Sequence, residues 1–201
     1  MSNFLTEKND DENLPPPVEE KKKKIVVIQT SPTRTASTLL ANMLYGLVYD
    51  VQQIIFLKFI ESVPNYIFNN EITILKYHHT NIDAFINLYS KDYELYFICS
   101  EREEINKTMD KKFHNYRNVL IFKYEELLET ETYTVEDIVN HCYDKIKKLL
   151  PQHIRLDKEK STKRVKIMNE LCEGIKDRDF SYYDHYYHIH GSHRGREHYG
   201  I

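Results

Sequence analysis

The sequence predicts an α/β protein: a three-layer α/β/α arrangement around a central, mainly parallel sheet. Three observations carry this. Short runs rich in β-branched residues alternate with stretches of helical periodicity, the pattern of strand–helix–strand crossovers. The first run, IVVIQ at 25–29, lacks polar alternation, as a strand covered on both faces should. At 201 residues the chain has room for one domain with a real core plus tails.

The elements follow in order. Residues 1–24 (MSNFLTEKNDDENLPPPVEEKKKK) combine prolines with mixed charge and bury too little to offset chain entropy, so they are read as a disordered tail, and 25–201 as a single domain. After the strand at 25–29, residues 36–49 form a helix with Leu39, Leu40, Met43, Leu44 and Leu47 on one face. QIIFLKF (53–59) and ITILKYH (72–78) read as strands. NIDAFINLY (81–89) reads as a short helix capped by Asn81 or Thr80. ELYFICS (94–100) is a strand, 101–112 a charged helix with Glu103 and Lys107 at i,i+4 spacing, and NVLIFKY (118–124) a further strand. Thr134 caps a helix through Leu150, which Pro151 ends. A short helix is expected near 161–173, and 180–201, rich in Tyr, His and Gly, reads as a loop.

Composition narrows the function. A net charge of −3 gives no global attraction to nucleic acid or an anionic membrane. Three widely spaced cysteines make neither a disulfide framework nor a zinc site, and suit a reducing compartment. The polar first residues do not read as a signal peptide, and the apolar runs are too short to span a bilayer. A soluble, cytoplasmic protein is expected.

The loop between the first strand and its helix carries the chemistry. In a parallel α/β sheet, ligands bind at the carboxyl ends of the strands. The first amides of a helix lack intrahelical partners and lie at its positive end, which makes an anion site. Thr30, Ser31, Thr33, Thr35, Ser37 and Thr38 supply hydroxyls, and Arg34 a forked cation suited to an oxyanion. The glycine-rich triphosphate signature is absent.

The stretch SPTRTASTLL (31–40) resembles the 5′-phosphosulfate loop of the sulfotransferases. Arg34 takes the place of that family's key basic residue, with Thr33 before it and Thr35, Ala36, Ser37 and Thr38 after it; Ala36 departs from the usual glycine. Lys76-Tyr77-His78 resembles the family's K-T-H, where histidine is the base. That role suits an imidazole near neutrality; Lys76 shares its side of an extended strand, and His79 is the alternative base. After the strand ending at residue 100, the family places an arginine and then a serine on the nucleotide's 3′-phosphate. Those places fall on Ser100, a departure that brings in Arg102, and on Thr108. Tyr124-Glu125-Glu126-Leu127 matches a further marker, and Arg194 and Arg196 fit a late basic loop over the 3′-phosphate.

The resemblance implies a P-loop-like sulfotransferase fold. It also implies 3′-phosphoadenosine-5′-phosphosulfate as donor, 3′,5′-adenosine bisphosphate as product, no metal, and a hydroxyl-bearing acceptor on a glycan, protein or small molecule. The cofactor set is Thr33, Arg34, Thr35, Ala36, Ser37, Thr38, Arg102, Thr108, Arg194 and Arg196, with His78, Lys76 and Arg34 catalytic. Two other readings stay open: a non-catalytic binding module on the same fold, and a nucleotide- or nucleoside-kinase-like enzyme. Oligomeric state is not legible.

Overall fold

The computed structural model describes residues 22–32, 35–49, 51, 55–67, 71–127 and 134–176, with backbone alone for 169–176. Five strands, β1 (Lys24–Thr30), β2 (Ile55–Phe56), β3 (Ile72–Tyr77), β4 (Tyr93–Glu101) and β5 (Val119–Lys123), form one sheet in the order β2-β3-β1-β4-β5. Every pairing in it is parallel. The helices are α1 (Ser37–Leu47), α2 (Ile82–Tyr89), α3 (Val135–Leu149) and α4 (Lys158–Lys176).

Each face of the sheet has its own core. Ile25, Val27, Ile72, Ile74, Ile98 and Phe122 pack against α1, α3 and Val165 of α4. Val26, Ile28, Leu75, Phe97 and Cys99 pack against α2 and the 3₁₀ turns Ile60–Tyr66 and Lys111–Asn115. Covered on both sides, β1 is fully buried from Ile25 onward, as its apolar run predicts. Thr134 and Asp137 close a reciprocal capping box at the start of α3.

α4 runs antiparallel to α1. Asp157 N–H reaches Leu47 O (2.7 Å), Ser161 Oγ donates to Met43 O (3.0 Å), and Arg164 Nε donates to Asn42 Oδ1 (3.0 Å). Gly46 permits the approach: a Cβ there would lie 2.4 Å from Ser161 Cα. With 19 residues against 11, α4 outruns α1 and ends beyond its N-terminus.

Two sequence expectations are corrected. The expected helix at 101–112 is instead a reversal. Asn106 sits at φ 54°, and Arg102 and Lys107 exchange backbone hydrogen bonds of 2.8 and 3.0 Å. The turns Glu103–Ile105 and Lys111–Asn115 flank Met109, whose N–H goes to the buried Glu101 carboxylate (3.1 Å). Glu103 pairs with Lys123 rather than with Lys107. Of the strand expected over 53–59, residues 53 and 54 lie outside the described residues; of 55–59 only Ile55–Phe56 is strand, followed after Leu57 by a 3₁₀ turn containing Pro64. Lys24 opens β1, while Lys22 bonds Glu71 (2.7 Å) and Lys23 donates to Ser90 O (2.9 Å). The remainder of the expected tail lies outside the described residues.

Candidate functional site

The topology selects a crevice. β1 feeds α1 on one face of the sheet, while β3 and β4, on either side of it, feed α2 and the 3₁₀ turn at Lys111–Asn115 on the other. Connections departing in opposite directions leave a crevice at the strands' carboxyl ends. Gln29 on β1 is in register with Lys76 on β3, and both lie on the α1 face. Phe56 on β2 is in register with Lys76 as well.

Lys76 is fully buried, and its Nζ donates to Thr38 Oγ1 in the first turn of α1 (3.1 Å). Burial disfavours its charged form and pushes its pKa down to about 8. At neutral pH it still carries an ammonium directly beneath a helix N-terminus, and two positive ends facing each other call for an anion. α1 has no acidic residue in its first turn, and its N-cap, Ala36, makes no side-chain hydrogen bond to the amides.

Ala36 adopts the left-handed conformation (φ 60°, ψ 25°). This is a turn that favours glycine, the residue from which Ala36 departs in the loop it resembles.

The loop hydroxyls largely serve one another. Thr35 Oγ1 donates to Pro32 O (2.8 Å) and lies 2.9 Å from Ser100 Oγ. Ser100 Oγ donates to Ser31 Oγ (3.0 Å). Ser31 Oγ accepts from Ser100 N–H and from Gln29 Nε2, each at 2.8 Å. Gln29 Oε1, fully buried, has no hydrogen-bond partner among the described residues. Thr30 Oγ1 donates to the backbone carbonyl of His79, which ties the ends of β1 and β3 together.

Of the expected site residues, Thr35, Ala36, Ser37, Thr38 and Lys76 come together here, and His78 follows one residue after β3. The His78 ring lies against Phe56 (centroids 5.4 Å apart), and the exposed His79 against Tyr77 (4.9 Å). Thr33, Arg34, Arg194 and Arg196 lie outside the described residues. Arg102 bonds Glu104 through Nε (3.0 Å) and Nη2 (2.6 Å), with its guanidinium 4.0 Å from the Tyr124 ring centre. Thr108 is exposed beyond the reversal, and Ser100, at the family's arginine position, is buried in the hydroxyl chain.

No family model, curated protein or solved structure matches the chain. The site is therefore read from its own chemistry. Sequence reasoning missed Gln29 and Ser100 as partners of the loop. Their signal was present: each is a polar residue closing an apolar strand run at the sheet's carboxyl edge. Among the described residues no three of His, Cys, Asp and Glu gather as metal ligands, and no helix is long and apolar enough to cross a membrane.

Proposed function

We propose that the β1/β3 crevice binds the phosphosulfate end of a nucleotide donor and that the protein transfers a sulfuryl group to a hydroxyl. The observation that carries this reading is the buried Lys76 ammonium, held by Thr38 beneath the uncapped first turn of α1. A charge placed there is costly unless a partner of opposite sign joins it.

3′-Phosphoadenosine-5′-phosphosulfate, when bound, supplies the sulfuryl group and leaves as 3′,5′-adenosine bisphosphate. Lys76 and the amides of Ser37 and Thr38 hold oxyanion charge, and Arg34 adds its guanidinium from the loop. His78 takes the proton of the acceptor hydroxyl. The protein contributes positioning and electrostatic stabilisation, both strengthened where water is excluded.

One observation favours a second reading, a binding module without turnover. The family's arginine position is the buried Ser100, and the nearby Arg102 is engaged by Glu104. A thermal-shift titration separates the readings. Stabilisation by 3′,5′-adenosine bisphosphate but not by ATP–magnesium supports a sulfuryl-nucleotide site, and stabilisation by ATP–magnesium supports a kinase-like one. A response to neither removes both and leaves the module. Given bisphosphate binding, turnover of the labelled donor that His78→Ala lowers by about 10²–10⁴ while binding persists identifies the base; a donor that binds without turnover favours the module.

A further inference from the structure

The opposite edge of the sheet, at the amino ends of the strands, carries a groove of about 800 Å³. Tyr143, Leu150, Pro151, Ile154 and Leu156 form an apolar floor, and Tyr143, Ile154 and Leu156 are only half-buried. Lys147 and Lys148, in the last turn of α3, stand at the rim. Lys158 adds a third ammonium 4.3 Å from the centre of the Tyr143 ring, and Lys147 lies 5.7 Å from the same centre. None of these three lysines has a carboxylate partner among the described residues. An apolar floor rimmed by unpaired cations suits an apolar segment flanked by carboxylates.

The chain holds such a segment and enters the fold beside the groove. Lys22, the first described residue, donates to Glu71 (2.7 Å) and lies 3.1 Å from His153 Nε2. Glu71 immediately precedes β3, and His153 stands between the lining residues Gln152 and Ile154. Residues 9–20, outside the described residues, read NDDENLPPPVEE. Leu14, three prolines and Val18 are flanked by Asp10, Asp11 and Glu12 on one side and by Glu19 and Glu20 on the other, with no cation among them. Residues 9–21 reach about 45 Å when extended, ample for a groove that begins beside a contact of Lys22. Proline fixes φ, so a proline run surrenders little chain entropy when it lies down in an aromatic-lined groove.

We infer that residues 9–20 dock in this groove of their own chain, with Leu14 to Val18 on the apolar floor and the flanking carboxylates on Lys147, Lys148 and Lys158. Docking is intramolecular, and the short tether at Lys22 gives it a high effective concentration. It depends neither on the crevice nor on the transfer reaction.

The test is zero-length carbodiimide coupling of the full chain at pH 7, with the monomeric and dimeric fractions read separately by mass spectrometry. Amide links are expected within one chain from Asp10, Asp11 or Glu12 to Lys147, Lys148 or Lys158. These three carboxylates are diagnostic because Glu19 and Glu20 lie near the groove by tethering alone. Leu14→Ser combined with Val18→Ser keeps the tether, every charge and the described fold, and should lower the yield of those links at least about fivefold. An equal yield of links to Lys112, on the other face of the sheet, would overturn the inference. So would a yield unchanged in the double variant. Links confined to dimers would give the groove to a second copy, and no links at all would leave it to a separate partner; either result rejects docking within the chain.

Discussion

Lys76 Nζ lies 3.1 Å from Thr38 Oγ1, so the carboxyl end of β3 is joined to the first turn of α1 by a buried ammonium. In a mostly apolar core, that charge works against folding. Its position at the topological crevice accounts for its presence better than stability does.

The pH dependence of stability should show this cost. The Lys76 pKa is about 8 in the folded chain against 10.5 when exposed. Between those values the unfolded chain binds more protons than the folded one, so stability rises with pH across the window. A separation of this size corresponds to about 3 kcal/mol. Lys76→Met should remove the rise. Chemical unfolding of both proteins at pH 7 and pH 10 should find the variant the more stable at pH 7, with the difference shrinking at pH 10. The same variant should lose binding of 3′,5′-adenosine bisphosphate.

Ala36→Gly should stabilise the protein. The left-handed backbone at φ 60° costs alanine about 1–2 kcal/mol, and glycine returns part of that through its freer unfolded chain. A net gain of about 0.5–1 kcal/mol is expected, or a few degrees in Tm for a chain of this length. Differential scanning calorimetry would read it; an unchanged or lower Tm would mean that the turn holds alanine without strain.

Ser100→Arg tests the resemblance directly. If an arginine at this place only restored a phosphate ligand, nucleotide affinity would rise at little cost. The structure instead buries Ser100 between Ser31 and Thr35, with no space or counter-charge for a guanidinium among the described residues. The variant should be strongly destabilised. Ser31→Ala, which leaves the buried Ser100 N–H without its acceptor, should cost about 1–3 kcal/mol. Urea unfolding midpoints would rank the two.

Gly46→Ala should loosen α4. Its Cβ would meet backbone atoms of Ser161 at 2.4 and 3.0 Å and the Lys160 carbonyl at 3.2 Å, none of them the end of a flexible side chain. A loss of about 1–3 kcal/mol is expected, with faster hydrogen exchange along α4 and the facing turns of α1.

The strand runs at 25–29, 72–78 and 94–100 were legible because a strand covered on both faces is nearly continuous in apolar residues, and the half-buried edge strand at 118–124 keeps the same apolar run. The caps at Asn81 and Thr134 were legible because capping is settled within one turn of the chain. The reversal at 101–112 was not. Charged residues at helical spacing predict a helix only when nothing distant competes; here Asn106 turns the chain, and the Glu101 carboxylate, fixed by β4, claims the Met109 amide. Nor does the residue order of the opening loop show that its hydroxyls turn inward, since Ser100, which contacts both Ser31 and Thr35, is brought in by β4.

The sequence by itself determined the alternation of strand and helix and the loop on which an anion site is built, because these follow from local periodicity and from the amides every helix start leaves unpaired. Only the tertiary structure decided which strand ends meet. Parallel pairing of β1 with β3 sets Gln29 beside Lys76, and packing α1 over them removes the lysine from water and lowers its pKa. Long-range register, which no stretch of residues encodes alone, thereby set two polar strand ends side by side in one buried crevice.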